Sequence, residues 1–196
     1  MAFWSAVGTE PKRAHRWVVT FPAAGVNLQQ ISYALKKVDK PKAKVGEITH
    51  KYLNHSFYYP GRLEWEAVNM TFASVTQVDA NQLVNDVLLA AGYGVPQNAG
   101  ITPEQRATIG KNKFAGALGR KIYIQQVDAD GEKIEEWELN NPFFTSVQFG
   151  ALDYSSEEIV EISCTVRYDW AKLNTPALTP GEPEIPTPPA GSPGIP

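Results

Sequence analysis

Ile159-Val160-Glu161-Ile162-Ser163-Cys164-Thr165-Val166-Arg167-Tyr168-Asp169-Trp170 is the stretch that decides the fold. Val160, Ile162, Cys164, Val166, Tyr168 and Trp170 fall on one side, and Glu161, Ser163, Thr165, Arg167 and Asp169 on the other. Side chains on a strand alternate between faces, so the stretch predicts one long strand with a buried and a wet face. No Gly or Pro interrupts it. Ahead of it, Thr145–Tyr154 carries Val147, Phe149 and Ala151 in step, and Ser155-Ser156-Glu157-Glu158 suits a tight polar connection. The pair reads as an antiparallel hairpin. Its wet face carries charges of both signs, which is ordinary for an antiparallel sheet and is also what the lining of an aqueous tube needs.

Working outward, Lys121–Asp128 and Glu132–Asn140 read as a second hairpin, joined by Ala129-Asp130-Gly131. Asp79–Ala91 predicts a helix: Asp79 caps it, Leu83, Val84, Val87 and Leu88 form its apolar stripe, and Gly92 stops it. Between helix and hairpin, Tyr93–Gly119 reads as a long connection with one short helix beginning at Thr102-Pro103-Glu104. Leu63–Ala73 is a long strand whose apolar phase slips by one residue near Ala67-Val68, the mark of a bulge or bend. Val45–Tyr59 is extended and ends at Pro60-Gly61, a turn signal. Ala14–Phe21 and Ile31–Val38 are two further strands. Residues 1–12 read as an N-terminal arm bearing Phe3 and Trp4, residues 13–172 as the β domain, and residues 173–196 as an extended or disordered tail with eight Pro after Asn174.

Composition narrows the function classes. The 196 residues, 43% hydrophobic and 20% charged, are enough for a globular core. A net charge of −3 is not that of a DNA-binding polycation. The charge is uneven: Lys36–Lys51 holds six Lys against Asp39 and Glu47, while Asp128–Glu161 holds ten acidic residues and one Lys. No apolar run approaches membrane-spanning length, and the first residues lack a basic signal-peptide start, so the expectation is a protein made in a reducing cytoplasm. Cys164, the single cysteine, excludes an internal disulfide and falls on an apolar face, where a thiol behaves as a small hydrophobe.

Catalytic and metal chemistry finds no residues to carry it. His50 and His55, five apart in an extended stretch, are expected on opposite faces and unable to share a metal. No Ser-His-Asp order appears, and Gly116–Lys121 lacks the ending and setting of a phosphate loop. The expectation is no enzyme, no cofactor and no metal.

Tyr59-Pro-Gly-Arg-Leu-Glu-Trp-Glu-Ala-Val-Asn-Met-Thr-Phe72, the capped helix after it, and the run from Asn140 to Tyr168-Asp-Trp170 together resemble the tail tube protein of contractile-tailed bacteriophages. The family is related to type VI secretion tube proteins. The resemblance spans about Lys36–Trp170. It implies a mainly β fold: two packed antiparallel sheets, a β-sandwich or barrel-like subunit, with one flanking α-helix. It also implies six copies closing into a ring-shaped barrel, and rings stacking into a tube through which DNA passes without specific binding. The partners it implies are further copies, tail sheath, baseplate and tape-measure proteins, with no membrane. The location it implies is the virion tail, assembled in the host cytoplasm. On that reading Glu161, Ser163, Thr165, Arg167 and Asp169 face the lumen. Lys40, Lys42 and Lys44 meet an acidic surface of another ring, one bearing part of Asp128–Glu161, with Phe57, Tyr58 and Tyr59 as the apolar alternative. Two close alternatives are a tube-initiating baseplate subunit and the tube subunit of a secretion system or phage-like particle. A monomeric β-barrel binder is a third, but it needs a concave apolar interior.

Overall fold

The computed structural model describes residues 12–22, 31–75, 79–94, 108–155 and 157–175. The predicted N-terminal arm up to Pro11, the short helix at Thr102 and the tail from Pro176 lie outside them. The strands are β1 (Trp17–Thr20), β2 (Leu35–Val38), β3 (Ala43–Tyr52), β4 (His55–Trp65), β5 (Val68–Ala73), β6 (Lys121–Val127), β7 (Lys133–Asn140), β8 (Phe143–Gln148), β9 (Glu161–Arg167) and β10 (Trp170–Asn174). The helices are α1 (Ile31–Ala34), α2 (Ala80–Ala90) and α3 (Lys111–Ala117). One four-stranded sheet runs β1-β6-β7-β10 and a second runs β2-β5-β9-β8; among the described residues β3 and β4 pair only with each other. Every pairing is antiparallel, so the fold is mainly β, as the sequence implied.

One core fills the space between the two larger sheets. Val19, Ile122, Ile124 and Leu139 of the first meet Val68, Met70, Phe72, Ile162, Cys164 and Val166 of the second, with Val84 and Val87 of α2. Truncating a buried aliphatic such as Leu139 to Ala costs about 2–5 kcal/mol, so this cluster dominates stability. Asp79 caps α2 as expected, its Oδ1 accepting from the Asn81 and Gln82 amides at 3.0 and 3.3 Å.

The predicted strand Ile159–Trp170 is two strands in two sheets. Ile162, Cys164, Val166 and Tyr168 are buried, so the phase holds over these residues, but Trp170, expected on the same buried side, is half exposed. The strand still cannot continue, because its partner β5 begins at Val68, opposite Val166. Tyr168 and Asp169 cross to the other sheet, where Trp170 pairs with Asn140. Strands that change sheets form the corners of a sandwich. The slip near Ala67-Val68 is such a corner: β4 leaves the body and β5 enters it.

Four further expectations change. Ile31–Val38 is one turn of helix followed by a short strand, and Leu35 keeps its buried place. The long connection after Gly92 contains α3, which joins α2 beside the core where one flanking helix was expected. Phe114 of α3 sits edge-on to Phe143 and Phe144, with ring centroids 6.4 and 5.7 Å away. β8 ends at Gln148 and β9 begins at Glu161, so their connection is far longer than the tight turn expected at Ser155–Glu158. Asn174, assigned to the tail, pairs with Glu136 and belongs to the domain.

The turn expected at Pro60-Gly61 lies inside β4. The chain reverses instead at Leu53-Asn54, with Leu53 in the left-handed region at φ 51°. Pro60 pairs with Glu47 and Leu63 with Val45, so Gly61 sits in the register shift between those two pairs. There a Cβ on Gly61 would lie 3.0 Å from the Gly46 carbonyl, so a larger residue would have to push the two strands apart by a few tenths of an ångström.

Candidate assembly surfaces

The β3–β4 hairpin is the largest feature with no packing of its own. All ten residues of β3 and nearly all of β4 are exposed on both faces. At ~3.4 Å per residue it projects roughly 30 Å. Cross-strand partners share a face, so Ile48/Tyr59, His50/Phe57 and Tyr52/His55 form one continuous aromatic surface toward the tip. Thr49/Tyr58 and Lys51/Ser56 form the reverse. His50 and His55 therefore lie on the same face, contrary to the expectation from their spacing, because a turn and not a continuous strand separates them. Among the described residues no group of three metal-ligating side chains occurs.

At the root, Asp39 N donates to Asn69 O (3.0 Å), Glu66 N donates to Lys42 O (2.8 Å), and Trp65 packs on Tyr168 with centroids 6.1 Å apart. Lys40 is held differently from expectation. Its ammonium bonds Glu135 Oε1 and Gln126 Oε1, each at 2.8 Å, within its own chain. Lys12 Nζ and Trp137 Nε1 complete the same carboxylate at 2.6 Å each. Burial alone raises the Glu135 pKa, but the bonds from Lys12, Lys40 and Trp137 outweigh it and bring it down to about 2. Lys121–Glu138 at 2.7 Å and Lys133–Glu136 at 3.0 Å neutralise the rest of the β7 acids. The acidic sheet is thus satisfied inside the subunit. Lys42 and Lys44, by contrast, make no ion pair among the described residues.

The outer face of β9 carries four of the five residues predicted to line a lumen. Ser163 and Arg167 are exposed and Glu161 and Thr165 half-buried. Ser163 and Thr165 stand in register with Thr71 and Asn69 on β5 and Gln148 and Ser146 on β8, all polar, and Lys37 lies opposite Thr71, whereas Glu161 stands opposite Ala73 and Arg167 opposite Phe143. Thr165 Oγ1 donates to Asn69 Oδ1 at 3.0 Å. Glu161 pairs with Lys36. The fifth residue, Asp169, lies past β9 in the crossing between sheets, where Lys111 and Asn141 hold its carboxylate. The outer face of the other sheet is less uniformly polar, since Val18 is exposed on it beside Gln125.

Comparison with solved structures decides the architecture. The chain superposes on a chain of the anti-feeding prophage tube-terminating cap with a TM-score of 0.61 at 17% identity, covering 90% of this chain and 100% of that one. The sheath-tube complex of an extracellular contractile injection system gives a TM-score of 0.61 at 15% identity, over 89% of this chain and 99% of that one. The anti-feeding prophage baseplate gives 0.59 at 13%, over 85% and 97%.

The fold is one found in contractile injection particles.

The resemblance drawn from the sequence thus holds at the level of fold. No protein-family model matches the sequence, and no curated protein matches it. Surfaces that sequence reasoning missed include the connection between β8 and β9, where Leu152, Tyr154 and Ile159 are exposed beside Asp153 and Glu157. The signal was present as apolar residues out of strand phase, but the expectation of a tight turn concealed it. Cys164 is buried against β5, and burial pushes its thiol up to about 12, which holds it protonated.

Proposed function

We propose that this chain is a structural, non-catalytic subunit of the tube of a contractile particle, self-assembling into stacked rings that form a conduit. The β3–β4 hairpin carries the reading. A subunit with a closed core has no reason to hold Ile48, Tyr52, Phe57 and Tyr59 in water on a long projection unless another molecule covers them. The fold shared with tube, cap and baseplate structures supports the same role. Among the described residues, β1, β2, β8 and β10 each have one unpaired edge. Pairing those edges between neighbours closes a ring and removes a template for aggregation. Six copies per ring follow from the sequence resemblance, as do sheath, baseplate and tape-measure partners and a place in a virion tail assembled in the host cytoplasm.

In this reading the polar face of β9, with Glu161, Ser163, Thr165 and Arg167, lines the lumen and lets DNA pass without adhering. Asp169 is left out of that set because it lies past β9, in the crossing between the sheets. Lys42 and Lys44 remain available for ring stacking with Phe57, Tyr58 and Tyr59, whereas Lys40 serves the hairpin root. A second reading, a tube-initiating or tube-ending subunit, is favoured by the likeness to cap and baseplate structures. Sedimentation of the purified protein with negative-stain microscopy separates the two: long hollow tubes support the first, and single rings or short stacks the second. A monomer across a hundredfold concentration range overturns both.

A further inference from the structure

We propose that the tip of the β3–β4 hairpin docks, between copies of this chain, on the connection between β8 and β9. The proposal rests on the tube reading and names the receiving surface within it.

Three observations point there. The first is placement. In the second sheet Val68 pairs with Val166 at one end and Ala73 with Glu161 at the other. The hairpin joins β2 to β5 and so emerges at the Val68 end, whereas the β8–β9 connection leads into Glu161 at the opposite end. When copies stack head to tail, the end bearing the hairpin faces the end bearing this connection. A heterologous contact of that kind propagates without limit.

The second is shape and chemistry. Residues around the connection surround an open hollow of about 1150 Å³, whose lining includes Lys36, Gly150, Leu152, Tyr154, Ile159 and Val160. Leu152 is 88% exposed and Ile159 68%. Gly150, at φ 85°, holds the chain so close to β9 that a Cβ would lie 2.8 Å from the Glu161 carbonyl oxygen, which fixes the base of the hollow. The hairpin offers matching side chains in Tyr52, Phe57 and Tyr59. Lys51, the one Lys or Arg in the outer half of the hairpin (residues 48–59), lies on the reverse of that aromatic face, so the match is between apolar surfaces, with Lys51 left at the rim.

The third is elimination. Glu135, Glu136 and Glu138 of β7 are engaged by Lys12, Lys40, Lys133 and Lys121 of their own chain. In the β6–β7 turn Asp128 is occupied by the Asp130 and Glu132 amides at 2.9 Å each, and the one apolar side chain of residues 128–132 is the methyl of Ala129, too small to seat the aromatics. In the β8–β9 connection Asp153 is likewise occupied, by the Ser155 amide and hydroxyl at 2.8 Å each, but the connection sets the exposed Glu157 beside a large exposed apolar area.

The test is site-directed cross-linking in the full chain. His55→Cys places a thiol on the aromatic face near the tip, Glu157→Cys one on the connection and Asp130→Cys one on the β6–β7 turn; the buried native thiol stays unreactive. Each variant is checked for native circular dichroism, and pairwise mixtures are assembled and exposed to diamide. The expected result is a disulfide-linked dimer of the His55→Cys and Glu157→Cys chains at least tenfold above that with Asp130→Cys. Preferential linkage to Asp130→Cys overturns the proposal, as does no linkage in mixtures that microscopy shows to contain tubes. Should Cys at 157 itself weaken assembly, His55→Cys is paired with Leu152→Cys instead. Linkage of that pair at least tenfold above that with Asp130→Cys supports the contact, and no such linkage in mixtures that contain tubes overturns it. Absence of rings and tubes from the wild-type protein overturns the tube reading and the contact together, and the same micrographs reveal it.

Discussion

Glu135 shows how a single carboxylate ties distant parts of the chain. It is 9% exposed and receives Lys12 from the N-terminal side, Lys40 from the hairpin root and the Trp137 indole. Breaking a buried pair by removing one partner costs about 3–5 kcal/mol, but both lysines are half exposed and screened by solvent. Glu135→Gln is therefore expected to cost roughly 2 kcal/mol in urea unfolding at pH 7. The pH dependence follows from the depressed pKa. The folded value of about 2 lies below the ordinary 4.5, so the contribution is complete above pH 4.5 and lost as pH falls toward 2. The stability gap between wild type and Glu135→Gln should close over that window, and a gap constant down to pH 2 would contradict the assignment. Cys164 offers a second check at this scale. Buried, with its thiol pushed up to about 12, it should react with a thiol reagent only after denaturant unfolds the protein. Rapid labelling of the native chain would show that the β5–β9 face opens.

Among elements, the hairpin is the one most separable from the fold. Its residues beyond Lys44 and Glu64 pack on each other and not on the core. Replacing Val45–Leu63 with Asn-Gly, the residues preferred in a two-residue hairpin turn, should leave the melting temperature within a few degrees and abolish assembly. A collapse of stability would place the hairpin in the fold, and normal assembly would remove it from the interface. The hairpin also shows what the sequence makes legible. Alternation within a strand is local, so the buried face of β9 and the capped helix α2 could be read from spacing and chemistry. Where a strand ends depends on its partner, so the crossing at Tyr168-Asp169 could not. Pro60-Gly61 is a turn signal in isolation, yet the pairing of Gly61 against Gly46 makes it a bulge. α3 was hidden by Gly116 and by its short length. Of the candidate site, the polar face of β9 was legible, because four of its residues share one strand. The capture of Lys40 by Glu135 was not, because 95 residues separate them.

For the whole molecule, the closed core between two sheets and the open surfaces around it divide stability from assembly. The core lies within residues 13–175, so a chain ending after Thr175 should keep its melting temperature, and a large drop would show that the Pro-rich segment packs on the domain. Ser163→Lys with Thr165→Lys should leave the fold intact but make tubes retain DNA, since cationic walls release counterions on meeting phosphate. Retention equal to wild type, measured by co-sedimentation at low salt, would argue against β9 as lining. The most direct test is a cryo-EM reconstruction of the assembled wild-type protein. The account predicts hollow stacked rings with the outer face of β2-β5-β9-β8 toward the channel and each hairpin reaching into the adjacent ring. A reconstruction with that face turned outward, or with hairpins making no contact between rings, would contradict it.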